Sequence, residues 1–296
     1  MNVAVWIKAF RLRTLPLALS SVGMGAFIAA WRGYFDLTIL TLCISTTIFL
    51  QILSNLANDL GDSIHGADHA QRAGPQRAVQ SGAISKKAMK TALIIFVVLS
   101  LASGLSMLLY AFSNDISSLI SLLVLGILSI LAAMTYTIGK KPYGYAGLGD
   151  FSVLIFFGFV GVMGSYYLFA KSISLDLILP SLTSGLLAVA VLNVNNIRDI
   201  ESDRVAGKKS IPVRIGKSKA IKYHWSLLIL AVLSTLTFSL IHYTAYVQFI
   251  YVVLIPVIFM IGNRVSKAEQ IDPYLKQTAL SSFLFMILFG LGLLLA

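Results

Sequence analysis

Two stretches of the chain bring together side chains that could do chemistry. They are "NLANDLGDSIHGAD", from Asn55 to Asp68, and "NVNNIRDIESD", from Asn193 to Asp203. If the first is helical, Asn55, Asp59 and Asp62 stand at i, i+4 and i+7, on one face. In the second, Asn195, Asp199 and Asp203 stand at i, i+4 and i+8. Each stretch then offers one amide and two carboxylates as a column of oxygen ligands. Oxygen donors of this kind suit Mg2+, which is hard, keeps several waters and is usually completed by substrate phosphates. Basic residues near both columns, Arg72, Arg77, Lys140, Lys208, Lys209 and Arg214, supply the other half of a diphosphate site. A metal with a basic ring is what ionisation of an allylic diphosphate requires, because the leaving group departs with multiple negative charge. A single acidic helix end would read as a solvated interfacial loop. Two of them, each followed by a basic loop, favour a site.

The elements that must position these columns are membrane helices. Of 296 residues, 57% are hydrophobic and only 12% charged, with a mean hydropathy of +0.86; a soluble domain carries about 25% charged residues. Apolar runs near the ~20 residues that cross a bilayer recur along the chain, and they are continuous, which argues against a barrel of alternating strands. Spans are expected at about 15–33, 37–57, 89–112, 117–138, 151–170, 175–196, 221–241, 244–262 and 278–295. The expected fold is all-α: a polytopic membrane helical bundle of about nine transmembrane helices around a central cavity open to the cytoplasmic face. One transmembrane domain would cover 1–296, with active-site loops at about 58–88 and 197–220.

With the N-terminus in the cytoplasm, 21 of 23 basic residues fall on that side, leaving Arg32 and Lys171 outside. This bias fixes the orientation by the positive-inside rule and explains the net charge of +11 without nucleic acid. Nine of the twelve acids fall on the same face, which the rule does not require. Asp36, Asp115 and Asp176 lie opposite and read as helix N-caps or loop residues. The lone Cys43 excludes an internal disulfide and reads as packing. "MNVAVWIKAFRLRTLP" reads as a basic amphipathic lead-in rather than a cleavable signal. His65 and His69 are at i, i+4 without a suitable third ligand, so zinc is not expected.

The pairing of "NDLGD" with "RDIESD", together with "YTIGK" (Tyr136 to Lys140), resembles the UbiA superfamily of intramembrane aromatic prenyltransferases. "RAGPQRAVQSGAIS", "TYTIGKKPYGYAGLGD" and "VLNVNNIRDIESDRVAGKKS" are most similar to its menaquinone-pathway branch. The resemblance covers essentially the whole chain and implies transfer of a polyprenyl chain from polyprenyl diphosphate to 1,4-dihydroxy-2-naphthoate, with loss of CO2 and diphosphate. It implies Mg2+ held by Asn55, Asp59 and Asp62 on one side and Asp199 and Asp203 on the other. Arg72, Arg77, Lys140 and Lys209 would bind diphosphate. Tyr136, one helical turn before Lys140 and facing the same cavity, would stabilise the allylic cation, so the catalytic set is Lys140, Tyr136, Asp62 and Asp199. Arg13 and Arg198 would grip the acceptor carboxylate and Asp150 its hydroxyls, with Asn195 also toward the acceptor. Membrane lipid would surround the site, in the bacterial inner membrane with the N-terminus and active site cytoplasmic. Asp68 departs from the family spacing, lying six residues after Asp62. Rival readings are another aromatic acceptor such as 4-hydroxybenzoate, a cation-coupled transporter, or a lipid-binding protein without catalysis. A transporter site would lie near the midplane on broken helices, whereas these acids are expected at the ends of spans.

Overall fold

The computed structural model describes residues 3–66, 74 and 76–296. Among these, nine helical segments are long and apolar enough to cross a membrane: Val3–Trp31, Leu37–His65, Lys86–Ala111, Ile116–Thr135, Gly149–Ala170, Leu175–Arg198, Ile211–Ile241, Tyr246–Lys267 and Asp272–Leu295. They are numbered here as the first to the ninth span. No strand occurs among the described residues. The chain is an integral membrane protein, and the side chains facing outward are those a bilayer accepts, such as Ile94, Ile95 and Val98 of the third span and Leu230 and Leu233 of the seventh.

Several spans outrun their apolar cores, and each extension places a polar group. The first is broken at Arg11, whose backbone is left-handed (φ 50°, ψ 55°), with a short 3-10 turn at Leu12–Thr14 before the helix resumes at Leu15. The second begins at Asp36, whose carboxylate accepts the Ile39 N–H at 2.9 Å, and continues to His65, where Gly66 closes it with φ 74°. Asp115 caps the fourth span by accepting the Ser118 N–H at 3.1 Å. The seventh is kinked at Gly216 (φ 80°, ψ 162°), and the fifth carries a π-helical stretch at Leu154–Gly164.

In lipid there is little hydrophobic drive between helices, so close packing of small residues and interhelical hydrogen bonds hold the bundle. At the crossing of the fifth and sixth spans, a Cβ at Gly158 would lie 2.7 Å from the Ser181 carbonyl oxygen, so only glycine permits that approach. Thr46 and Ser103 join the second and third spans at 2.7 Å, Ser118 and Tyr167 the fourth and fifth at 2.7 Å, and Thr183 and Thr235 the sixth and seventh at 2.9 Å.

The face opposite the acidic helix ends has a clasp of its own. Arg32 donates to Tyr166 Oη (3.2 Å), Ser174 Oγ (2.8 Å) and Asp176, and His242 lies 2.8 Å from the same carboxylate. Asp176 is therefore an ion-pair centre rather than an N-cap.

Candidate active site

The two acidic stretches meet. The second span carries its first motif as continuous helix to His65, as the column requires. The sixth span ends at Arg198, and a six-residue helix, Ile200–Val205, follows; Asp199 at the junction leaves helical geometry (φ −98°, ψ 14°). The register nevertheless survives the break, because Asp199 N–H donates to Asn195 O at 3.1 Å and Asp203 N–H to Asp199 O at 2.8 Å. Lys208 joins the two motifs directly, with Nζ 3.0 Å from Asp62 Oδ1 and 3.3 Å from Asp203 Oδ1. It is seated 4.8 Å over the Tyr145 ring, whose hydroxyl donates to the same Asp62 oxygen at 2.9 Å. Arg77 Nη2 takes the other Asp62 oxygen at 3.0 Å.

These groups close the polar end of a cavity of about 450 Å³. Asn58, Asp62, Asp199, Asp203, Arg77 and Lys208 are on its wall there. The other limb is apolar, with Leu101, Leu105, Leu122, Ile127, Phe156 and Val160. Tyr136, Asp150 and Asn195 also line it.

Several expected roles change with the geometry. Asp59 is buried, but its two oxygens accept the backbone N–H groups of Ala78 and Val79, each at 3.2 Å, and it is not on the cavity wall. It anchors the loop that carries Arg77, while Asn58, one residue earlier, faces the cavity. Asn55 lines the cavity with its amide nitrogen committed to Phe10 O (2.9 Å) and Thr14 Oγ1 (3.0 Å), tying the second span to the chain entry. Lys140 is exposed and off the wall, because the fourth span ends at Thr135 and Gly139 turns the chain with φ 122°. Tyr136 and Lys140 therefore do not share a helical face. Lys209 is also exposed, and its contribution is a backbone N–H to Tyr145 O at 2.9 Å; Lys208 holds the position expected for it. Arg13 and Arg198 both bind Asp272 and lie off the cavity wall, which leaves neither facing an acceptor. Asp150 accepts from Tyr223 Oη at 3.0 Å, and Asn195 Oδ1 from Arg198 Nη2 at 2.8 Å. Arg72 and Asp68 lie outside the described residues.

The sequence reading missed Asn58, Tyr145 and Arg11. Arg11 reaches the cavity wall through its left-handed backbone, a conformation that a non-glycine residue seldom adopts. Tyr145 stands inside a motif that was legible, but its bond to Asp62 spans 83 residues and has no local signature.

The charge balance bears on a metal. Burial pushes the Asp203 carboxyl up to about 6; Lys208 opposes the shift, and Asp199 and Asp62 add to it. The polar end of the wall brings the carboxylates of Asp62, Asp199 and Asp203 and the amide of Asn58 together beside Arg77 and Lys208, an oxygen-rich donor set that suits a hard cation. Among the described residues no three His, Cys, Asp or Glu side chains converge tightly enough to cage an ion. Burial also raises the Tyr136 phenol far above its ordinary range, with Asp150 and Asp62 adding to the effect, so its hydroxyl stays protonated.

The profile of the UbiA prenyltransferase family matches residues 18–289. A 1,4-dihydroxy-2-naphthoate octaprenyltransferase of Haemophilus influenzae is 45% identical, over 99% of this chain and 96% of its own. The protein of that name from Escherichia coli K12 is 42% identical, over 98% and 95%. A UbiA homolog from Archaeoglobus fulgidus, solved with DMAPP and Mg2+, superposes with a TM-score of 0.61 at 18% identity, covering 96% of this chain and 99% of that one. The acidic helix ends, the shared cavity and a match across nearly the whole length agree: the chain belongs to the UbiA prenyltransferase family.

Proposed function

We propose that the protein transfers a polyprenyl chain from its diphosphate to 1,4-dihydroxy-2-naphthoate, releasing diphosphate and CO2 and forming demethylmenaquinol. The observation that carries the chemistry is the juxtaposition at one cavity of two carboxylate-bearing helix ends, bridged by Lys208, with an apolar limb beyond them. The naphthoate acceptor is supported by the relatives at 42–45% identity.

Asn58 and Asp62 on one side, and Asp199 and Asp203 on the other, are the residues that would hold Mg2+. When bound, the ion would supply positive charge to the departing diphosphate. Lys208 and Arg77, which grip the Asp62 carboxylate, are the cations on the wall that diphosphate oxygens would meet. Tyr136 presents a neutral ring to the cavity, suited to an allylic cation. As the C–O bond to diphosphate breaks, its electron pair leaves with the diphosphate. The ring carbon bearing the carboxylate attacks the allylic carbon, and the electron pair of the C–CO2 bond returns to the ring as CO2 departs. The apolar limb excludes water that would quench the cation. An outer groove between the fourth and fifth spans shares Leu122, Leu125, Val160 and Gly164 with the cavity, a route by which a long tail can reach lipid. Arg11, on the cavity wall beside Thr14, is our candidate for the acceptor carboxylate. The charge bias supports a site that faces the cytoplasm, in a bacterial inner membrane.

Purified protein given a polyprenyl diphosphate, Mg2+ and 1,4-dihydroxy-2-naphthoate should release CO2 and diphosphate in equal amounts. Turnover of 4-hydroxybenzoate in place of the naphthoate would overturn the acceptor assignment.

A further inference from the structure

Behind Asp199 runs a chain of ion pairs that the mechanism above does not use. Arg198 is enclosed, its side chain 5% exposed. Its Nε and Nη2 donate to the two oxygens of Asp199 at 2.8 and 2.7 Å, and Nη2 also reaches Asn195 Oδ1 at 2.8 Å. Nη1 turns away to Asp272, the first residue of the ninth span. Asp272 is held in addition by Arg13 Nη1 at 3.1 Å, from the turn that interrupts the first span. Four charges of alternating sign therefore lead from the cavity wall, where Asp199 lies, back through the sixth, ninth and first spans.

This arrangement answers a conflict at Asp199. A carboxylate that serves a cation must keep its negative charge, yet a buried arginine gripping both its oxygens would cancel that charge and repel a divalent ion. Asp272 offsets Arg198 from behind. The bidentate fork then fixes the plane of the Asp199 carboxylate, and with about four lone-pair sites on a carboxylate the fork does not exhaust it. We infer that Asp272 is a positioning residue for the diphosphate site: acting through Arg198, it sets the orientation and effective charge of Asp199 toward a divalent cation. The inference rests on the reading of Asp199 as a metal-binding residue. Asp272 lies 74 residues after Arg198 and outside both acidic motifs.

The test is metal binding alone, read on the full-length protein in detergent by titrating Mn2+ and following the free ion by EPR. Asp272→Asn should bind Mn2+ about tenfold more weakly, the size of effect typical for a partner that orients a ligand. Its half-saturating Mg2+ in the transfer assay should rise in parallel, with kcat at saturating Mg2+ largely kept. Asp272→Glu should recover most of the affinity, which a merely structural role would not predict in a metal-only readout. Arg198→Lys keeps the charge but loses the fork, so it too should weaken Mn2+; it carries the test if Asp272→Asn does not fold. Parental affinity in Asp272→Asn or in Arg198→Lys, with binding lost in Asp62→Asn, overturns this inference and leaves the site reading intact. Parental affinity in Asp62→Asn as well overturns the site reading itself.

Discussion

Neighbouring carboxylates with the same sequence credentials have different employment. Asp59 and Asp62 are both buried, but Asp59 spends its oxygens on the N–H groups of Ala78 and Val79, whereas Asp62 meets Tyr145, Lys208 and Arg77 at the cavity. Substituting each by asparagine should separate the two roles. Asp59→Asn turns one acceptor into a donor facing a backbone N–H and should cost ~1–3 kcal/mol of stability, while leaving half-saturating Mg2+ where it was. Asp62→Asn should raise the Mg2+ requirement and lower kcat by about a hundredfold or more, as loss of a group serving the leaving-group charge does. Initial rates across a Mg2+ series and thermal unfolding in detergent read both effects. A raised Mg2+ requirement in Asp59→Asn would restore it to the ligand set that helical spacing suggested.

The element that makes this division possible is the turn after the fourth span. Thr137 donates to Ala57 O at 3.0 Å and to Asn58 Oδ1 at 3.2 Å, so this turn rests on the second span where the motif begins. Contact is that close because residue 61 is glycine: a Cβ there would lie 2.6 Å from the Thr137 carbonyl oxygen. Gly61→Ala should therefore push the turn away, at about 1–3 kcal/mol for overpacking, and lower kcat by shifting Asn58 and Tyr136 together. Wild-type rates in Gly61→Ala would show that the turn is free to move. The same turn marks the boundary of what the sequence could tell. Nine apolar runs, the acid columns and the face they share were legible because helical period and hydropathy are local properties. Lys140 looked aligned with Tyr136 only on the assumption that the fourth helix continued, and the left-handed Gly139 ends that register. Asn58 was passed over because a helical face cannot be narrowed to one residue until its neighbours are known. Lys208 and Lys209, adjacent in sequence, were distinguishable only once the loop was fixed by the Lys209 N–H bond to Tyr145 O.

At the scale of the whole molecule, the charge distribution can be argued from structure as well as from counting. Of the two basic residues that break the asymmetry, Arg32 is neutralised by Asp176 within the clasp that joins the first, fifth, sixth and seventh spans. Burial works against its charge, but Tyr166 and Asp176 outweigh it, and its pKa is raised. Lys171 closes the fifth span in a left-handed cap, with Nζ 5.9 Å over the Phe112 ring. The opposite face therefore carries little uncompensated positive charge, and the full weight of the bias falls on the side with the acid columns. The proposed orientation puts Lys217 inside and Lys171 outside; both are exposed. In a Cys43→Ala background, which removes the one native thiol, a membrane-impermeant maleimide should label Lys171→Cys in spheroplasts and leave Lys217→Cys untouched. Inverted vesicles should give the reverse. Labelling of Lys217→Cys in intact spheroplasts would turn the protein over, and diphosphate would then have to reach its site from the other side of the membrane.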